Sequence, residues 1–309
     1  MAEAIEKDFK ANGKFLISGE YAILDGAWGL AFPLQHGQVL QTFPSSDWHT
    51  LWVSREADGT PWFHAHIHPG TGLVVETDQP EAAKWLEKIL RTIPDHRRKE
   101  RMKGRRVEVT ASFNRNWGLG SSSTLVALVA KWMEWSPYAL SDASFGGSGY
   151  DIACAGMDSP LLYRRLPGQD PEVKPVAIPE ALLAQIFFVY SGQKMNSRSG
   201  IQHYRKQPPA SDWLQEISDL SLHLSTHPDL EHWMNLLRQH ETLMAKQLDL
   251  PKIAEQFPDF TGVIKSMGAW GGDFFMALHP DSSYIRNYFL QRGYPDVYSA
   301  LDWVKRVHA

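Results

Sequence analysis

The segment Gly118-Leu119-Gly120-Ser121-Ser122-Ser123 constrains the fold more than any other part of the chain, because it joins a readable strand to a readable helix. Before it, Val107, Val109, Ala111 and Phe113 alternate with Glu108, Thr110 and Ser112, the period-2 pattern of a half-buried strand. After it, Thr124 to Trp135 is almost wholly apolar and long enough for a buried helix. The first amides of such a helix lack a backbone partner and carry the positive end of its dipole, so they attract phosphate oxygens. The glycines let the backbone come close to a ligand, and the serines add hydroxyls. Serine-rich turns also cap helices for purely structural reasons, so the loop alone leaves phosphate cradle and helix cap both open.

With 309 residues, 43% hydrophobic and 21% charged, the chain can bury a full core and falls where one large or two moderate domains are expected. A formal charge of -4 gives no general electrostatic reason to bind nucleic acid or a membrane surface, so an anionic partner has to be met locally. The single cysteine, Cys154, excludes an internal disulfide and a cysteine-based zinc site, which fits a reducing compartment; cytoplasm is the expected address. The first eight residues are charged and lack the apolar core of a signal peptide, and no later run reaches membrane-spanning length.

Along the chain, residues 9–35 read as a hairpin-like β region, with Phe15-Leu16-Ile17 and Ala22-Ile23-Leu24 as apolar runs and Asp25-Gly26 as a turn. Strands are expected to dominate up to Val75, followed by a helix over Glu81–Thr92. The basic stretch Arg97–Arg106 reads as a solvated helix end and loop, since no aromatics are interleaved with the charges. A proline cluster over 167–179 marks a domain boundary, giving an N-terminal domain of 1–168 and a C-terminal domain of 169–309. The second half begins with a strand at Gln185–Tyr190. Helices follow near 211–225 and 230–248, the latter with His240 on its broad apolar face, then a helix over Phe260–Met267 and a strand over Phe274–Leu278. His64, His66 and His68 alternate on one strand face, yet no acidic residue or cysteine adjoins them in sequence to complete a metal set. The tryptophans read as packing residues.

Four loops share glycine with polar or charged residues: Asn12-Gly13-Lys14, Gly118 to Ser123, Gly147-Ser148-Gly149-Tyr150-Asp151, and Gly268-Ala269-Trp270-Gly271-Gly272-Asp273. In this order and spacing they resemble the GHMP kinase superfamily, small-molecule kinases of galactose, homoserine, mevalonate and phosphomevalonate, over nearly the whole chain. The first motif, Gly13-Lys14 followed by Gly19-Glu20-Tyr21, departs from the family at Asn12, where proline is usual, and the last departs at Trp270, where glycine is usual. Gly19 to Leu24, Gly147 to Ala153, Tyr163-Arg164-Arg165, Gly271-Gly272-Asp273 and the 191–198 loop are most similar to the phosphomevalonate kinase branch. The mevalonate kinase branch usually has histidine at the position of Tyr21.

The resemblance implies an α+β, two-domain GHMP kinase fold: an N-terminal βαβ unit like domain 2 of ribosomal protein S5, and a C-terminal ferredoxin-like sheet-and-helix domain. It further implies an ATP- and magnesium-dependent kinase of a mevalonate-pathway intermediate, phosphomevalonate first, with mevalonate or another metabolite as the alternative acceptor. Lys14 and Asp151 would be catalytic. Gly118, Leu119, Gly120, Ser121, Ser122, Ser123, Gly268, Gly271 and Gly272 would bind nucleotide, and Ser122 would touch magnesium. Glu134 and Asp142 are the only carboxylates between Lys131 and Gly147, and neither is assigned as a second metal ligand. Glu20, Tyr21, Ser148, Lys194, Ser197 and Arg198 would bind an acidic acceptor, whose carboxylate and phosphate need cationic partners. Read without the resemblance, Asp151 is equally a helix N-cap, Lys14 a strand-edge lysine and 191–198 a surface loop. A family member that binds nucleotide or metabolite without turnover also stays open. The partners expected are a small acidic molecule and, at most, a second copy of the chain, as a monomer or homodimer.

Overall fold

The structure is a computed structural model, and it describes residues 4–193, 197–268, 270 and 272–307. The chain divides into two compact units. The first holds residues 1–13, 36–115 and 119–156, and the second holds 14–35, 116–118 and 157–309. The proline cluster at 167–179 thus lies inside the second unit, and β1 (Lys7–Ser18) and β2 (Gly29–Pro44) each carry residues of both.

In the first unit, β3 (Thr50–Arg55), β4 (Pro61–Ile67), β5 (Val74–Thr77) and β6 (Arg105–Ala111) join the latter half of β2 in the order β5-β4-β3-β6-β2. Only β3 and β6 among these neighbours run parallel, with Trp52 opposite Val107. The alternation seen in β6 is real: Val107, Val109 and Ala111 are buried. Its inward face meets α1 (Pro80–Arg91), α2 (Asp95–Met102), α3 (Ser121–Met133), α4 (Pro137–Ser144) and α5 (Tyr150–Gly156), with Trp52, Ile89, Leu128 and Trp132 among the shared core. Packing a helical layer on one sheet face lets each bury its apolar side.

In the second unit, Gly29–Ala31 at the start of β2 pair with β7 (Leu161–Arg164), and β7 pairs with β8 (Glu172–Pro175). A separate antiparallel sheet follows, in the order β10-β11-β9-β12, from β9 (Ile186–Tyr190), β10 (Val263–Ser266), β11 (Phe274–Leu278) and β12 (Val297–Ser299). Its helices are α6 (Glu180–Leu183), α7 (Ser197–Tyr204), α8 (Ser211–Thr226), α9 (Leu230–Leu248), α10 (Ser282–Gln291) and α11 (Ala300–Trp303). No helix among the described residues is long and apolar enough to cross a membrane.

Several expectations are corrected. Ala22-Ile23-Leu24 is not a strand but part of a 3-10 turn, Ala22–Asp25, because Gly19 and Tyr21 both take positive φ and reverse the chain. Phe260–Met267 is not a helix: β10 occupies Val263–Ser266 and all four of its residues are buried. A strand covered on both faces loses its period of two, so a short apolar run cannot be told from a helix. The basic stretch is less solvated than expected. Arg98 is only 3% exposed and donates to the carbonyls of Gly70, Leu90 and Ile93. The three strand histidines also part company, and the fold supplies acidic neighbours that the linear sequence hid. His64 Nδ1 meets Asp78 at 3.0 Å, His66 lies 3.7 Å from Asp47, and His68 Nδ1 accepts the amides of Gly70 and Thr71. No group of three or more His, Cys, Asp or Glu among the described residues is placed to hold a metal.

Candidate active site

The loop between β6 and α3 has the backbone its glycines allow: Gly118 has φ 67° and Gly120 φ 95°, a left-handed pair that turns the chain straight into α3 at Ser121. No side chain caps α3. The hydroxyls of Ser123 and Thr124 turn back instead, each donating to the Gly120 carbonyl at 2.9 Å, and Ser121 Oγ donates to Arg115 at 3.4 Å. Between the two readings of the serines, the geometry therefore removes capping. The first amides of α3 receive no side-chain cap and carry the positive end of a 13-residue helix, while Leu119 is buried and anchors the turn. Ser122 is the exposed member of the serine run, and an exposed hydroxyl is the kind of oxygen a magnesium ion carrying water and phosphate takes up. Glu134 is at the other end of α3, roughly 20 Å away by helical rise, with its carboxylate 2.6 Å from Arg101. It cannot share an ion with Ser122.

In the same unit, Asp151 stands in the first turn of α5, which packs against α3. One of its carboxylate oxygens accepts the Ile152 amide at 3.0 Å. Gly146, Gly147 and Gly149 all have positive φ before it, so the loop carrying Ser148 relies on glycine to bring Asp151 into place.

In the second unit, Lys14 projects from β1 and its ammonium donates to the Gly118 carbonyl at 2.8 Å. Asp273 approaches the same residue so closely that a Cβ added to Gly118 would lie 2.0 Å from Asp273 Oδ2. Ser191 completes the arrangement: its amide donates to the Asp273 carbonyl and its hydroxyl to the Gly272 carbonyl, both at 2.8 Å. Trp117, just before Gly118, is held by Tyr190, Tyr298 and Trp303 at ring distances of 5.3, 5.7 and 6.2 Å. The structure thus brings Lys14, Gly118 and the end of the 268–273 loop together. Partial burial, then the carboxylates of Asp273 and Asp296, hold the Tyr190 phenol above its usual range.

Trp270 resolves differently from what a bulky residue in a glycine loop leads one to expect. It adopts φ 45°, is 4% exposed, and packs with Tyr21, Tyr204, Met244 and Leu248 while its indole N–H donates to the Pro251 carbonyl at 3.3 Å. The ring points into the unit's own core.

Glu20 and Tyr21 sit in the turn after β1. Glu20 is fully buried and pairs with Lys265 on β10, while burial, partly offset by that lysine, pushes its carboxyl up to about 7. Any effect of Glu20 on an acceptor therefore passes through its neighbours. Tyr21 has φ 58°, stacks on Tyr204 at 5.4 Å, and places its hydroxyl where Gly200 of α7 would otherwise carry a Cβ, 2.2 Å away. Burial, and then the Glu20 charge, raise its phenol to about 12, so it stays protonated. Lys194 and Gly271 lie outside the described residues, as do the side chains of Ser197 and Arg198; Gly268 opens its loop at φ 61°.

Three residues went unassigned by sequence. Lys265 is a charge within the short strand β10, Asp273 a charge just before β11, and His240 a polar residue on an apolar helix face. A charge inside an apolar run is the signal that marks such positions.

By sequence, no family profile and no curated protein matches the chain. By structure, it is similar to Streptococcus pneumoniae phosphomevalonate kinase in complex with phosphomevalonate and AMPPNP (TM-score 0.73, 18% identity, covering 95% of this chain and 99% of that one). It is also similar to L. major mevalonate kinase in complex with R-mevalonate (0.68, 14%, 100% and 98%). A third likeness is to a D-glycero-D-manno-heptose 1-phosphate kinase from Bacteriodes thetaiotaomicron (0.65, 12%, 93% and 92%). The chain has the two-domain α+β fold of the GHMP kinases.

Proposed function

We propose that this protein is an ATP- and magnesium-dependent kinase that transfers a γ-phosphate to a small acidic metabolite, with phosphomevalonate as the acceptor. The observation that carries the reading is the start of α3 directly behind the left-handed Gly118 and Gly120, with no side-chain cap, in the fold where that loop would cradle a nucleotide on its first amides. Lys14, already tied to the Gly118 carbonyl, would neutralise charge on the transferred group. Ser122 would contribute a hydroxyl to magnesium, whose remaining ligands come from ATP and water and which would draw charge off the phosphates. In the reaction an acceptor oxygen bonds to the γ-phosphorus as the bond to the β-phosphate oxygen breaks and ADP leaves. An acceptor that is itself a phosphate needs no strong base, so Asp151 would chiefly orient the incoming oxygen. Were the acceptor the hydroxyl of mevalonate, Asp151 would take its proton.

Support for a phosphorylated acceptor comes from Tyr21, where the alternative branch has histidine, and from the expected cations Lys194 and Arg198. The similarity to the phosphomevalonate kinase complex points the same way. A cytoplasmic site of action is proposed because a chain with a single cysteine, Cys154, cannot form an internal disulfide.

The test is ADP release from ATP and magnesium with phosphomevalonate or mevalonate. Phosphomevalonate is expected to turn over, and Lys14→Met and Asp151→Asn are each expected to lower kcat by about 100-fold or more. Turnover with mevalonate alone would reassign the acceptor. ATP binding with no turnover on either would replace the kinase by a nucleotide-binding protein.

A further inference from the structure

The turn after β1 is fastened by a polar cluster that is wholly inside the second unit. Glu20, His240 and Lys265 are 0% exposed and Glu241 is 3% exposed. Lys265 donates to Glu20 Oε1 and, at 2.7 Å, to the Ser266 carbonyl. Glu241 accepts the Ser266 amide and hydroxyl, the latter at 2.8 Å. The Gly19 amide donates to His240 Nε2 at 3.0 Å, so that nitrogen offers a lone pair and carries no proton. Burial, and then the Lys265 charge, keep the ring neutral.

Glu20 Oε2 lies 3.3 Å from the same nitrogen and receives no donor among the described residues. If Glu20 were ionised, two lone pairs would face each other between fully buried side chains. Glu20, Glu241 and Lys265 would also leave one buried negative charge uncompensated. A proton on Oε2 removes both faults, since the acid then shares the single Nε2 lone pair with the Gly19 amide in a three-centre bond and, with Glu241 set against Lys265, the cluster becomes neutral. The groups facing Glu20 are Lys265 from β10, His240 and Glu241 from α9, and Tyr21 from its own turn. Nearby Ser18 and Ser221, hydroxyl to hydroxyl at 2.8 Å, do not titrate in this range.

We infer that one proton held between Glu20 Oε2 and His240 Nε2 is a working part of the site, and that these two are positioning residues for the Gly19–Tyr21 turn and for the 268–273 loop. The turn carries Tyr21 in its left-handed conformation, and Lys265 is three residues before Gly268, so the cluster sets both segments at once. Loss of the proton returns two facing acceptors and a net charge to the interior, and the turn shifts away from α9.

The activity arm of the test rests on the kinase reading above; the other two do not. Glu20→Gln keeps an acceptor for Lys265 and offers an N–H toward His240, so it mimics the protonated state at every pH. With Glu20 ionising near 7, the protonated fraction drops about tenfold from pH 6 to pH 8. The ratio of wild-type to E20Q kcat/KM is expected to fall by the same about tenfold. A flat ratio overturns the inference. In wild type, nitrogen-15 NMR of His240 at pH 6 is expected to show a neutral ring with its proton on Nδ1; an imidazolium, or a proton on Nε2, overturns it without reference to any variant. Stability–pH curves of wild type and E20Q that diverge between pH 5 and 8, in a protein that turns over no acceptor, sustain the proton pair and sink the kinase reading. Curves that coincide overturn the pair whatever the turnover.

Discussion

At the scale of single residues, Gly118 and Glu20 show how little freedom the site leaves. Gly118 combines a left-handed backbone with a carboxylate pressed against its α-carbon, so Gly118→Ala adds about 1–2 kcal/mol of backbone strain and drives Asp273 aside. The expected outcome is a lower melting temperature together with a raised KM for ATP, read by calorimetry and steady-state kinetics. Glu20 links the same region to pH. Its folded pKa of about 7 lies above the unbound carboxyl value of 4.5, so its contribution to stability is fully present below pH 4.5 and is lost as pH rises through 7. The span corresponds to about 3 kcal/mol at 1.36 kcal/mol per unit. His240 acts with the opposite sign: held neutral in the fold, it contributes above its ordinary 6.5 and loses that contribution as pH falls. Below pH 6.5 the two slopes oppose each other. The difference in unfolding free energy between wild type and Glu20→Gln isolates the glutamate: relative to the variant, wild type is expected to lose up to about 3 kcal/mol from pH 4.5 to 8 in urea titrations.

Among the elements, α2 is held by a buried arginine rather than by an apolar stripe. Arg98 supplies donors to three backbone carbonyls at the end of α1 and in the loop after β4, and it pairs with Asp95. Arg98→Ala strands those carbonyls without water, and a loss of about 3 kcal/mol is expected in urea unfolding. Helices with an amphipathic pattern and clear stops were legible in the sequence. α9 begins at Leu230 behind the Asp229 cap and ends at Leu248, as its periodicity requires. The alternation of β6 and the glycine turn into α3 were legible for the same local reason. The strand β10 was not, because burial on both faces erases alternation, and the 3-10 turn at Ala22–Asp25 was not, because two positive φ values rather than composition make it. For the proposed function, Lys14, Ser122 and Asp151 are expectations read from their loops. The seating of Asp273 on Gly118 and of His240 under Gly19 could not be read in that way, since both depend on residues far apart in sequence.

For the molecule as a whole, ligand linkage gives a test that needs no acceptor. At 100 times its dissociation constant, ATP with magnesium is expected to stabilise the fold by about 2.7 kcal/mol, visible as a melting temperature raised by a few degrees; an unmoved transition would exclude nucleotide binding. The pairing of Glu20 with Lys265 spans 245 residues, and its consequence belongs to synthesis rather than to catalysis. At about 5–20 residues per second, the turn carrying Glu20 and Tyr21 leaves the ribosome roughly 10–50 s before the lysine that Glu20 pairs with. Through that interval the turn has neither its cation nor the strand beside it. Nascent chains arrested at Gln256 are therefore expected to be cut by protease within residues 14–35, and released full-length chains to resist. The segment that reads most clearly as the first motif is among the last to acquire its final form.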